Sequence, residues 1–201
     1  MQHRQHPAFE LIFRPPEALL DGVYRLRPKA WRSRARDFPD IDVWRDAFDG
    51  CSDHRVVVQR SRVVAAGRLT IRDRIAELPH PELYAGFDLP DTGPVGSINR
   101  LVVDADYAGI GLSRMIDEAR IAHADAQGVR VLLATTFAGQ RRVTALERLG
   151  FRELGDARAY NDGPLTCLNR VASSGGGGGE RLLARFSAAA PQHRDGAVET
   201  R

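Results

Sequence analysis

The sequence predicts a single-domain mixed α/β fold, a sheet with antiparallel ends flanked by helices. Three observations predict it. Two β-branched runs, His54–Gln59 and Val63–Ile71, are joined by the short step Arg60-Ser61 and read as a hairpin. Helical periodicities over 112–126 and 140–149 alternate with the apolar runs Ile98–Val103 and Val129–Thr135. Two further runs, Phe151–Ala159 and Leu165–Val171, flank the turn-forming Asn161-Asp162-Gly163 and read as a closing pair of strands. A length of 201 residues with 43% hydrophobic and 27% charged residues suits one domain with its own core.

The elements follow in order. Pro15-Pro16 before Glu17 starts a helix with Leu19, Leu20, Val23 and Leu26 on one side, and Pro28 is expected to end it. The acidic stretch Phe38–Asp49, with aromatic anchors, is expected to hold a second short helix. After the hairpin, Arg72–Gly96 is rich in proline, aspartate and glycine. Its length suggests a lid over a substrate, with Tyr84 and Phe87 as covering residues. Leu112–Ala126 carries Leu112, Met115, Ile116, Ala119 and His123 near one face and is closed by Gly128. Gln140–Leu149 brings Val143, Leu146 and Leu149 into register and ends at Gly150.

The C-terminal boundary is drawn at Ala172, because Ser173-Ser174 and Gly175 to Gly179 form a flexible coil with little to pack. Residues 1–171 are read as the domain and 172–201 as linker and disordered tail, with at most a short amphipathic helical turn through Leu182, Leu183 and Phe186. The net charge of +3 disfavours a polyanion-coating protein, so no nucleic-acid partner is expected. Two cysteines are too few for a disulfide framework or a cysteine zinc site, and no metal is expected. No stretch reaches the ~20 apolar residues of a membrane span, and Met1–Pro7 does not read as a secretory signal. The expected compartment is the cytoplasm.

The most informative stretch runs from Leu101 through Val102, Val103, Asp104 and Tyr107 to Ala108, Gly109, Ile110, Gly111, Leu112, Ser113 and Arg114. A strand passes into a glycine-bearing turn, and the turn passes into a helix. The unpaired N–H groups and positive dipole end of that helix, with a backbone curled by Gly109 and Gly111, suit a diphosphate. Ser113 adds a hydroxyl and Arg114 a charge. Such a turn also occurs without any ligand. A nucleotide P-loop needs Gly-Lys-Ser/Thr, which is lacking here, and the last position of a dinucleotide fingerprint is occupied by Arg114.

This stretch resembles the signature of the GNAT superfamily of acyl-CoA-dependent N-acyltransferases, Arg/Gln-x-x-Gly-x-Gly/Ala between a strand and a helix. Ala108 falls at the Arg/Gln position, Gly111 at the central glycine and Ser113 at the final small residue. Thr144-Ala-Leu-Glu-Arg-Leu-Gly-Phe151 resembles the second motif of that family. The first helix with Leu26-Arg27, the acidic stretch and the Asp53-His54 entry to the hairpin resemble small bacterial members and the acyl-homoserine-lactone synthases. The resemblance covers about residues 17–171. It implies a mostly antiparallel twisted sheet, acetyl-CoA or another acyl-CoA as cosubstrate, and an amine acceptor, either a small molecule or a peptide N-terminus. A homodimer is compatible with it.

The resemblance further implies cofactor contacts at Leu101 to Val103 and Ala108 to Arg114, with the pantetheine arm between the strands at Leu101 and Leu132. A glutamate common on the signature strand is replaced by Ser97, and a tyrosine common in the second motif by Leu146. The proton-transfer candidates are therefore Asp53 and His54, water held by Ser97 and Asn99, and Tyr160 or Cys167 from the last hairpin. Arg100 and Tyr84 are the candidate substrate contacts, Arg100 either on an acceptor carboxylate or on an internal acid such as Asp53. Arg141 and Arg142 lie within reach of the phosphates. The run Arg25, Arg27, Lys29, Arg32, Arg34, Arg36 reads as a solvated basic rim, or as a dock for an acidic carrier protein. Three classes of function follow: an N-acetyltransferase, a non-catalytic CoA-binding module, and a synthase that draws on acyl-carrier-protein donors.

Overall fold

The structure is a computed structural model that describes residues 8–33, 38–90, 92–137, 140–156 and 180–187. Its strands are β1 (Glu10–Phe13), β2 (Asp53–Gln59), β3 (Arg62–Arg72), β4 (Val95–Val103), β5 (Val131–Phe137), β6 (Arg152–Asp156) and β7 (Glu180–Phe186). Its helices are α1 (Glu17–Arg32), α2 (Leu112–Ala126) and α3 (Gln140–Glu147). The strands form one seven-stranded sheet in the order β1-β2-β3-β4-β5-β7-β6. Every pairing is antiparallel except β4 with β5.

Alternation along the strands gives the sheet two covered faces. Val56, Val58, Ala66 and Val102 pack against Val23, Tyr24 and Leu26 of α1. Val57, Val64 and Ala65 pack against Leu112 and Ile116 of α2. On the other half of the sheet, Leu132, Ala134 and Leu183 meet Ile121, Val143 and Leu146 of α2 and α3. Val131, Leu133, Leu182 and Ala184 meet Phe38, Trp44, Leu83 and Tyr84.

Several expectations are met closely. The hairpin turn places both Arg60 (φ 51°) and Ser61 (φ 65°) in the left-handed region, the conformation that matches strand twist in a two-residue loop. Helix α2 has the expected bounds and is closed at Gly128, φ 69°.

Others are corrected. Helix α1 continues through Pro28. Proline removes the donor to the Tyr24 carbonyl one turn back, and the Trp44 N–H supplies it instead at 2.9 Å. The 38–51 segment holds only the short turn Asp49–Cys51 where a helix was expected. The 72–96 stretch is not a free lid. It makes two short turns, buries Leu78, Leu83 and Tyr84 in the core, and gives Val95 and Gly96 to β4.

The largest correction is β7, which the sequence reading assigned to a disordered tail. Leu182, Leu183 and Ala184 are fully buried between β5 and β6. A central strand covered on both faces reads as a continuous apolar run, so Leu182-Leu183-Ala184 carries no period-two signal. The rest of 172–201, apart from Ser187, lies outside the described residues, as does the expected strand Leu165–Val171.

Candidate active site

The site grows from an irregularity at the centre of the sheet. Strand β4 pairs with β5 only from Val95↔Val131 to Ile98↔Ala134, and from Asn99 onward the two strands have no shared register. The opening therefore begins beyond Ala134, and Leu132, expected to flank it, is still paired with Gly96. On its other edge β4 is bulged. Ala66 faces Val102 and Arg68 faces Asn99, so Gly67 of β3 spans both Arg100 and Leu101. At this bulge Arg100 adopts φ 52°, a conformation that a residue with a Cβ takes only when its surroundings impose it.

Beyond β4 the chain makes a short turn over Ala105–Tyr107, and Asp104 accepts the Asp106 N–H at 3.3 Å. Asp104 is itself buried between Lys29 of α1 (2.9 Å) and Arg62 of β3 (2.6 Å). Burial would push its carboxyl up, but bonding from Lys29 and the Asp106 amide outweighs that and holds it below the usual range. Ala108 to Gly111 are exposed. Gly109 (φ 81°) and Gly111 (φ 91°) take left-handed conformations, and a Cβ at either would meet nothing within 4 Å. These glycines are required by backbone shape, and the space in front of them is open. Helix α2 starts at Leu112, with its first free N–H groups at this turn. Arg114 bonds Glu118 along the exposed helix face at 2.7 Å.

The α1 side of the bulge is lined by ions. Arg27 is buried and donates twice to Asp49, at 2.7 and 2.8 Å. Arg68 is buried too and donates to Asp49 at 2.9 Å, to Asp46, and through Nε to Asn99 Oδ1 at 2.7 Å. Arg100 donates to Asp46 Oδ2 at 3.0 and 2.7 Å and lies 4.2 Å from the Trp44 ring centroid. Asn99 passes the chain on to Ser97 Oγ at 3.3 Å. Burial would raise the Asp49 carboxyl, but Arg27 bonding with the charges of Arg27 and Arg68 wins, so it stays well below the usual carboxylate range. Asp46 is also held low, burial being outweighed by Arg68 and Arg100.

These contacts revise the sequence-based site. Arg100 pairs with Asp46, whereas Asp53 faces His123 at 3.3 Å. His54 is 4% exposed, with Nε2 3.2 Å from the Asp49 carbonyl oxygen. Burial pushes its pKa down, so the ring is neutral near pH 7. It stands opposite Arg68, which stands opposite Asn99. Two strand spacings of ~5 Å therefore separate His54 from the bulge, with Arg68 between them. His54 belongs to the ion network and lies out of direct reach of a group bound at β4.

Tyr84 is 3% exposed and sits in the core beside Leu83. Arg142 is bonded to Asp117, and Leu146 is core. Ser97 is buried and Asn99 partly exposed at the opening. Tyr160 and Cys167 lie outside the described residues. Of the basic segment, Arg25, Lys29 and Arg32 are exposed as a rim requires, Arg27 is not, and Arg34 and Arg36 lie outside the described residues. Arg27 is buried, Lys29 bonds Asp104, and Arg32 lies 3.4 Å from Asp40.

Asp46, Asp49, Arg68 and Trp44 were missed by the sequence reading. The available signal was Arg68 inside the apolar run Ala65–Ile71, which needs a carboxylate partner that local sequence does not name.

A mixed sheet whose single parallel pair splays beside a bulge, with a two-glycine turn feeding a helix, defines a class of acyl-transfer proteins. Residues 20–151 match the acetyltransferase (GNAT) family, and the chain belongs to that family. The N-acyl amino acid synthase FeeM, from uncultured soil microbes, superposes with TM-score 0.63 at 11% identity over 90% of this chain and 91% of its own. The ribosomal-protein-S18-alanine N-acetyltransferase from Escherichia coli gives 0.59 at 15% identity, covering 94% and 99%. The AHL synthase LasI gives 0.58 at 16% identity, covering 89% of each chain. At these identities the likeness is one of fold. A search of curated proteins gives no match. Among the described residues, no helix is long and apolar enough to cross a membrane.

Proposed function

We propose that this protein is an N-acyltransferase that moves an acyl group, acetyl in the simplest case, from a CoA thioester to the amine of a small molecule or a peptide N-terminus. The observation that carries the reading is the junction of two features on one strand. The exposed Gly109/Gly111 turn lies at the end of β4, and the splay from β5 opens a few residues earlier, at Asn99. The Ala108 N–H is taken by the Ala105 carbonyl, so a diphosphate held by the amides of Gly109 to Ser113, with Arg114 beside them, would lead its pantetheine arm into the opening past Leu101, Val102 and Val103.

The chemistry then asks little of side chains. A backbone N–H near the bulge polarises the thioester carbonyl. The amine nitrogen forms the new C–N bond, and the C–S bond breaks as the tetrahedral intermediate collapses. The thiolate, of ordinary pKa ~8.5, leaves and takes up a proton. Holding amine and thioester together supplies up to ~7–11 kcal/mol. The amine must lose a proton before attack, since its pKa is ~10. Water held by Ser97 and Asn99 is the route we favour, because the Arg68–Asn99–Ser97 chain of bonds leads to the opening. Tyr160 is the proposed proton donor to sulfur.

A second reading, a synthase fed by an acyl carrier protein, is favoured by the likeness to FeeM and LasI. The pairing of Arg27, Lys29 and Arg32 with acids of this chain counts against segment 25–36 as its dock. The test is thiol release from acetyl-CoA and longer acyl-CoA with a panel of amino acids, amines and peptides. Turnover that disappears in Gly111→Trp supports the first reading. Turnover only with acyl carrier protein supports the second. Binding of CoA with no turnover from either donor leaves a non-catalytic module.

A further inference from the structure

Arg120 lies in the middle of α2 and is fully buried. Its Nη1 donates to two main-chain oxygens, those of Arg68 at 2.9 Å and Asn99 at 3.0 Å. These residues are the facing pair that closes the β4 bulge. Its Nη2 bonds Asp117, which also receives Arg142 from α3. Gly67, the single residue opposite the bulge, makes room for this arrangement. A Cβ there would stand 2.6 Å from Ile116 Cγ2 and 3.0 Å from the Arg120 guanidinium.

A buried guanidinium is an expensive way to fill space under a helix, where a leucine would pack without desolvating a charge. What it supplies, and a leucine does not, is a charged donor bridging two strands at the point where their ladder is interrupted. On the opposite face the strained Arg100 is gripped through Asp46 and Trp44. The bulge is thus held from both sides, as a φ of 52° requires.

We propose that Arg120 is a positioning residue for acyl transfer: it fixes the bulge and so aims the main-chain N–H groups of Arg100 and Leu101, the two residues outside the β3 register, toward the thioester carbonyl. This rests on the acyltransferase reading for its consequence in rate, and on geometry alone for its consequence in backbone order. Misaiming by ~1 Å typically costs up to ~100-fold in rate.

The test compares wild type with Arg120→Met, Arg120→Lys, Gly67→Ala and Asp117→Asn, the last lowering stability while leaving the carbonyl bonds in place. Hydrogen–deuterium exchange is followed over 99–103, with 132–134 as reference. We expect at least tenfold faster exchange over 99–103 in Arg120→Met and Gly67→Ala, partial recovery in Arg120→Lys, and no selective change in Asp117→Asn. In turnover, kcat should fall at least tenfold in the first two with the acyl-CoA KM within about twofold.

Unchanged exchange over 99–103, or an equal selective loss in Asp117→Asn, overturns the proposal. Selective exchange with unaltered kcat overturns its catalytic half. If Arg120→Met does not fold, Arg120→Lys together with Gly67→Ala decides, because the first shortens the charged donor and the second presses on the guanidinium, and on Ile116, without removing it. A wild type that transfers no acyl group refutes the acyltransferase reading, while the exchange result still decides whether Arg120 holds the bulge.

Discussion

The Gly109/Gly111 turn and the Arg100 bulge both place residues at positive φ on the same stretch of chain, and they do so by opposite means. At the turn the shape is intrinsic, since two glycines with open space about them need no support. At the bulge the shape is imposed, since an arginine is held there by Asp46 and Trp44 on one face, with Arg120 clasping the adjoining strands on the other. The turn can therefore be changed without disturbing the core. The bulge cannot.

That contrast predicts where substitutions act. The largest effect is expected at Asp49, the carboxylate shared by Arg27 and Arg68. Asp49→Ala leaves two buried cations short of their partner and should cost about 3–5 kcal/mol in folding free energy, read by urea denaturation. A loss below ~1 kcal/mol would mean that the ion network does not support the bulge.

Next is Gly111→Trp. It should weaken acyl-CoA binding at least 100-fold by calorimetry, about 2.7 kcal/mol. Its cost to folding should stay near the ~1–2 kcal/mol of a residue forced into the left-handed region.

Acid sensitivity gives a smaller, graded effect. Asp46 and Asp49 have folded pKa values below the usual 3.8, so they contribute stability above that value and lose it as pH falls toward the folded pKa. His54 is depressed below 6.5, so the unfolded chain takes up its proton first and stability also declines as pH falls below about 6.5. Denaturation midpoints from pH 7 to pH 3 should therefore fall, and Asp49→Asn should flatten the limb below pH 4.

The smallest effect is expected for Pro28→Ala. The restored N–H competes for a Tyr24 carbonyl already bonded to Trp44, and stability should change by less than about 1 kcal/mol. A large gain would show that proline strains α1.

The same contrast governs what could be read from the sequence. The hairpin, α2 and the two-glycine turn were legible because local chemistry decides them: glycine where φ must be positive, β-branched runs where strands form, glycine where a helix stops. The bulge was not, because its cause is distributed among Asp46, Trp44 and Arg120, all far in the chain from the bulge they hold. Strand β7 was missed for a related reason. Its partners are β5 and β6, and nothing inside Glu180–Phe186 announces a central position between them. His54 looked available for proton transfer because the sequence does not show that Arg68 stands between it and β4.

The central claim is that bare main-chain amides at the start of α2 hold a diphosphate while the amides of the bulge meet the thioester. It is tested most directly by titrating desulfo-CoA into the isotope-labelled protein and following backbone amide signals. The account predicts that the largest shifts fall on Gly109, Gly111, Leu112 and Ser113, with a second group from Arg100 to Val103. Saturable binding that leaves both groups unmoved, or shifts confined to other strands, would contradict it.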